Sequence, residues 1–335
     1  MDAGCCSWGF MVLGSSPIKK MTPLRPVAII LSTSIIASLG IALLGRWQWD
    51  GGEGGGAPLG PPPRPCLGQT GAINRSLVIV VHGGKTGYDY AQEWSNLDYF
   101  MRNGMSDAGT DYVFVLPSLE AEWWPARYRN LSGRVSFIRA PRACPCDLCA
   151  HALALKGMEG LETDYTTIVF FNTGARGPYP IGGGAGWMDR LRGYTHNGMA
   201  VSNTIVWEGR CYVPSYFIAM PSCVVSYVRD MWHETCHEGG NMDDCAMRGE
   251  FTLLPFLNWL GVPVHITSRN LTIYSEKDCA DNEPDPVPWF LWGRRTNPDF
   301  WPVDLNRSMF LKYGGGLYRR RFVHPSVVRE VQRRG

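Results

Sequence analysis

Short apolar runs recur along this chain, separated by stretches of helical period. Residues 76–82, SLVIVVH, form an unbroken apolar run that predicts a buried strand. Residues 93–105 place Leu97, Phe100 and Met101 on one face of a predicted helix. Residues 111–116 and 135–138 predict a second and a third strand, and 147–157 a helix. Residues 166–171, TTIVFF, are β-branched and aromatic and predict a fourth buried strand. Periodicity is then lost across Gly182-Gly183-Gly184. It returns in predicted helices over 224–232 and 250–260 and a late strand over 262–266. Strands alternating with helices predict an α/β fold, a mostly parallel sheet flanked by helices.

The amino-terminal quarter obeys other rules. Residues 27–45 are nineteen apolar positions without a charge, long enough to span a bilayer as a helix. Lys19, Lys20 and Arg25 precede them, and Trp47 and Trp49 follow. These flanks predict a cytoplasmic tail over 1–26 and an uncleaved signal anchor over 27–45, with a cleaved signal peptide as the competing reading. Residues 46–75 are a Gly/Pro-rich stem that cannot pack, and 76–335 the globular domain. The topology expected is single-pass type II, with a lumenal C-terminus in the Golgi or ER. Four N-glycosylation triplets, at Asn74, Asn130, Asn270 and Asn306, lie beyond the anchor. So do nine of the eleven cysteines, where disulfides persist. A formal charge of +2 on 335 residues offers no footprint for nucleic acid.

The strand at 166–171 ends abruptly in Asn172-Thr173-Gly174-Ala175-Arg176-Gly177-Pro178. Small and polar residues at a strand's carboxyl end are how an α/β sheet presents its chemistry. The segment resembles the F-x-N-x-x-x-R-G-P motif of a glycosyltransferase-like family of algae, plants and fungi. It is also similar to the N-D-S-x-x-G-P segment of bacterial rhamnan-synthesis F-type proteins. The resemblance extends in order through 96–102, 111–115, 142–153, Gly249-Glu250, Gly261 and 310–315, covering roughly residues 76–316. It implies a GT-A-like fold, a nucleotide-sugar donor and a glycan or glycoprotein acceptor. The donor-binding set it implies is Asn172, Arg176, Gly177, Asp147 and His82. Glu250 is the implied general base, with Asp244 beside it. A transferase of this kind often holds the diphosphate through a divalent cation, Mn or Mg, on an Asp-x-Asp. Here Asn172-Thr173-Gly174 stands in that place, and Asn is a poor ligand for a hard cation. Arg176 is the alternative source of positive charge.

Two motifs point elsewhere. His233-Glu234-Thr235-Cys236-His237, followed by Gly240 and Asp243, matches H-E-x-x-H-x-x-G-x-x-D. On a helix, His233 and His237 share a face and bind zinc, with Glu234 as base and Asp243 as third ligand. That is the signature of a membrane-anchored zinc metalloprotease. A catalytically inactive lumenal binding protein is the other alternative. Cys144, Cys146, Cys149 and His151 have the density of a zinc knuckle, but a lumenal location favours disulfides.

Overall fold

The computed structural model describes residues 66, 75–82, 90–105, 109–116, 135–139, 146–158, 160–179, 186–207, 211–237, 245–281, 285–286 and 309–312. The anchor expected at 27–45, and the stem apart from Cys66 and Arg75, lie outside the described residues. Among the described residues no helix is long and apolar enough to cross a membrane.

The centre is a sheet of eight strands. β1 (Ser76–Val81) lies between β2 (Thr110–Leu116) and β4 (Thr167–Asn172), parallel to both, and β3 (Val135–Arg139) continues the parallel set beyond β2. On the other side of β4 comes β9 (Phe217–Pro221), antiparallel. β6 (Ala200–Ser202) and β10 (Val264–Ile266) follow, parallel to each other, and β11 (Leu271–Ile273) closes the edge as a hairpin with β10. This is the α/β, GT-A-like class expected, a mostly parallel sheet flanked by helices.

β1 and β4 are apolar without alternation because both of their faces are covered. Leu77, Ile79, Ile168 and Phe170 face one layer; Val78, Val80, Val169 and Phe171 face the other. The first layer holds α2 (Asp147–Lys156), α5 (Val225–His237) and α6 (Phe251–Trp259), with Trp232 fully buried against Phe170. The second holds α1 (Tyr90–Asn103) and α4 (Trp187–Thr195). In α1 the predicted face is the buried one: Leu97, Phe100 and Met101 are inside, and Phe100 stacks on Phe171 at 5.1 Å.

Three elements were not foreseen in the aperiodic stretch after the glycines: α4, β6 and β9. The helix predicted over 224–232 begins in a 3-10 turn, Ser222–Val224, and continues as α5 to His237. The helix predicted from 250 is a π turn, Ala246–Glu250, running into α6. Disulfides join Cys66 to Cys223, Cys146 to Cys245 and Cys211 to Cys279. Cys149 is also disulfide-bonded, so the cysteine-rich segment is cross-linked where a zinc knuckle was the alternative.

Candidate functional site

Parallel β1, β2 and β4 end side by side, with Val81 opposite both Val115 and Asn172. The chain turns at once after β4. Asn172 Oδ1 accepts the Gly174 N–H at 3.0 Å, and this side-chain turn frees the strand end from the sheet. Thr173 is buried beneath it. Its N–H donates to the Val81 carbonyl at 3.0 Å, and its own carbonyl accepts from Asn96 Nδ2 at 2.8 Å. Its hydroxyl shares a hydrogen bond of 2.9 Å with His82 Nδ1. His82 thus braces the turn from the end of β1, and its ring lies 4.1 Å from Trp94. Burial lowers its pKa to about 3, so it is a neutral support.

Asn172 also donates through Nδ2 to Asp147 Oδ2. Cys146 is the N-cap of α2, so Asp147 is a residue of the first turn, where the helix dipole favours a carboxylate. The same Asp147 oxygen accepts from Ser215 Oγ at 2.7 Å, and the Ser215 N–H donates to Glu250 Oε1 at 2.9 Å. Asn172, Asp147 and Glu250 are therefore brought together. Ser215, absent from the sequence reading, joins the two carboxylates. The three predicted residues are each half-buried, whereas Ser215 is buried. Nothing in the spacing of residue 215 marks it; its place depends on β9.

Arg176 follows in β5 (Ala175–Arg176). Its guanidinium lies 4.4 Å over the Tyr99 ring, and Nη1 donates to Ser95 Oγ at 3.3 Å. Among the described residues no carboxylate forms an ion pair with it. β5 pairs with β13 (Leu311–Lys312), Arg176 opposite Leu311. Two pieces of the resembling pattern far apart in sequence are thus neighbours. Gly177 is buried at that contact. A Cβ there would overlap the Met309 carbonyl oxygen and stand 2.6 Å from Phe310 Cδ1.

The other predicted residues lie elsewhere. His233 lines a surface cleft of about 200 Å³ with Lys156, Arg229 and Asp230. Lys156 ends α2, nine residues from Asp147, about 14 Å at the helical rise. The His233 cleft is thus at the far end of that helix from Ser215. Glu234 is exposed; partial burial and the charge of Asp230 raise its pKa. The His237 side chain, Asp243 and Asp244 lie outside the described residues, as do Asn74, Asn130 and Asn306. Asn270 is exposed at the β10–β11 hairpin, with φ of 54°.

No protein-family model matches the chain. No curated protein matches it either. Solved structures do, at low similarity. One is a putative nucleotide-diphospho-sugar transferase from Desulfovibrio desulfuricans G20, 11% identical, covering 48% of this chain and 68% of its own, with a TM-score of 0.30. Another is the 4-diphosphocytidyl-2C-methyl-D-erythritol synthase of Anaerococcus prevotii, 13% identical, covering 62% and 96%, with a TM-score of 0.33. A third is a mannosyltransferase from Pyrobaculum calidifontis in complex with GDP-Man and Mn2+, 12% identical, covering 57% and 54%, with a TM-score of 0.32.

Proposed function

We propose that the chain is a membrane-anchored glycosyltransferase of the Golgi or ER lumen. It transfers a sugar from a nucleotide-sugar donor to a glycan or glycoprotein acceptor. The observation that carries this reading is the convergence of Asn172, Asp147, Ser215 and Glu250 at the carboxyl edge of the sheet, on the segment that bears Arg176. The disulfides support a lumenal domain, because such bonds persist in oxidising compartments.

The roles follow from the chemistry of each group. Arg176 faces the donor's diphosphate, where a fixed guanidinium suits phosphate oxygens. Asp147 accepts a hydrogen bond from the nucleoside. Glu250 takes the proton of the acceptor hydroxyl. The acceptor oxygen bonds to the anomeric carbon as the bond from that carbon to the phosphate oxygen breaks. The nucleoside diphosphate leaves with the electron pair, and Arg176 meets its charge.

The test is calorimetry of the full-length, detergent-solubilised protein against a panel of nucleoside diphosphates and their sugars. One of them binds and competes with its own sugar conjugate. Silence across the panel removes the reading. Stoichiometric zinc that disappears in His233→Ala with His237→Ala replaces it with the protease.

A further inference from the structure

A divalent cation on the donor diphosphate is what the resemblance implies, and the end of β4 does not fit one. Asn172 Oδ1 stands where the first metal ligand is expected, and it accepts the Gly174 N–H. Asn172 Nδ2 turns an N–H, not a lone pair, toward Asp147. At the third position, a Cβ on Gly174 would stand 2.9 Å from Asn172 Oδ1, tighter than such contacts are found. The turn is built around the asparagine oxygen and leaves no comfortable place for a second carboxylate. Both nearby carboxylates are engaged by hydrogen donors. Asp147 Oδ2 accepts from Asn172 and Ser215, Asp147 Oδ1 from the Leu148 N–H at 3.2 Å, and Glu250 Oε1 from the Ser215 N–H. A hard cation asks instead for oxygens that turn their lone pairs to a common centre. Among the described residues the one group of three potential ligands is Cys146, Cys149 and Cys245, and their sulfurs are in disulfides.

Positive charge is present in another form. The Arg176 guanidinium is held on the Tyr99 ring and by Ser95. Its Nε is buried and makes no hydrogen bond to any described residue. His82, the other basic group at this edge, is kept neutral by burial. A guanidinium carries five N–H donors, and its fork matches the spacing of phosphate oxygens. We infer that this chain holds the diphosphate of its donor without a divalent cation, with Arg176 doing the work of the metal. The inference rests on the transferase reading and deepens it.

The test uses full-length protein in detergent and the nucleoside diphosphate selected by the panel above. Its affinity is measured by calorimetry with EDTA present and again with Mn2+ or Mg2+ in excess. The wild-type affinity is expected to be the same in the two conditions. Arg176→Ala weakens it roughly 10- to 150-fold in EDTA, the scale of a charge-assisted hydrogen bond. Arg176→Lys keeps the charge, loses the fork and falls between. Binding that appears only with the cation overturns the inference and leaves the transferase reading intact. So does an Arg176→Ala protein with wild-type affinity in EDTA. Absence of binding in both conditions for every diphosphate removes the inference and the transferase reading together.

Discussion

Ser215 supplies two hydrogen bonds that a single substitution separates. Its hydroxyl serves Asp147 and its main-chain N–H serves Glu250. Ser215→Ala removes the first and keeps the second. The loss of a hydrogen bond to a carboxylate is expected to cost about 1.5–3 kcal/mol. Denaturant unfolding measures it, and nucleotide affinity should fall with it because Asp147 is no longer steadied. Ser215→Thr keeps the hydroxyl and restores both; an alanine variant with wild-type affinity would remove Ser215 from the site. His151 behaves differently. It is fully buried between Phe170 and Trp232, and neither ring nitrogen has a partner among the described residues. Burial lowers its pKa to about 4, partly opposed by the charge of Asp147. The unfolded chain, with an ordinary histidine pKa near 6.5, then binds the proton that the folded chain refuses. Stability from this source is complete above about pH 6.5. It is lost as pH falls toward about 4, at about 1.4 kcal/mol per pH unit. His151→Leu leaves no acceptor or donor stranded. Its stability should change less between pH 7 and pH 5 than that of the wild type, as read from urea midpoints; equal changes would refute the assignment.

At the scale of elements, two cross-connections hold the site, and they differ in what they hold. The Cys146–Cys245 disulfide joins the N-cap of α2 to the residue before the π turn, so Asp147 and Glu250 both lie within five residues of it. Cys66–Cys223 instead ties the segment before β1 to the 3-10 turn. Replacing either pair with alanine should lower stability by about 2–4 kcal/mol. Only the Cys146–Cys245 pair should also weaken nucleotide binding. Equal affinity in the two double variants would show that the cross-link does not position the carboxylates. Gly177 supports the pairing of β5 with β13 in the same sense. Gly177→Ala pushes against the Met309 main chain, which cannot swing away as a side-chain tip can, and should cost about 1–3 kcal/mol on thermal unfolding. Much of this was legible beforehand. The runs at 76–82, 111–116 and 166–171 announced buried strands, and the Leu97, Phe100, Met101 spacing announced α1. β9 was not legible. Phe217–Pro221 is buried at every position, so it shows no alternation, and it ends in a proline that reads as a break. That omission concealed Ser215. β9 runs against β4, with Phe217 opposite Phe171, so its entering end lies at the edge where Asn172 emerges. Two residues before that strand, Ser215 arrives among side chains 35 and 68 residues away in sequence. No local pattern records a meeting of that kind.

For the whole molecule, covalent structure constrains where it folds. The disulfides span 157, 99 and 68 residues, so each closes a long loop that only the folded chain brings together. Such bonds need an oxidising compartment to form and to last. The apolar run at 27–45, with its basic flank on the N-terminal side, supplies the route there, and it places everything after it in the lumen. Among the described residues one glycosylation triplet can be judged on geometry. Asn270 is exposed, it occupies the left-handed region that asparagine tolerates, and it stands at the tip of an edge hairpin, away from the carboxyl-edge site. A glycan on that side chain projects from the outermost strand pair and leaves the interior of the fold untouched. Full-length protein made in a eukaryotic secretory pathway should therefore remain in the membrane fraction. It should lose mobility-retarding mass on endoglycosidase treatment, and Asn270→Gln should remove one glycan's share of that shift. Its C-terminus should be protected from added protease in sealed vesicles. A protein that shows no glycan shift and whose C-terminus is cut in intact vesicles has the opposite orientation. The disulfides would then form in a reducing compartment, and the lumenal acceptor proposed for the site would be on the wrong side of the membrane.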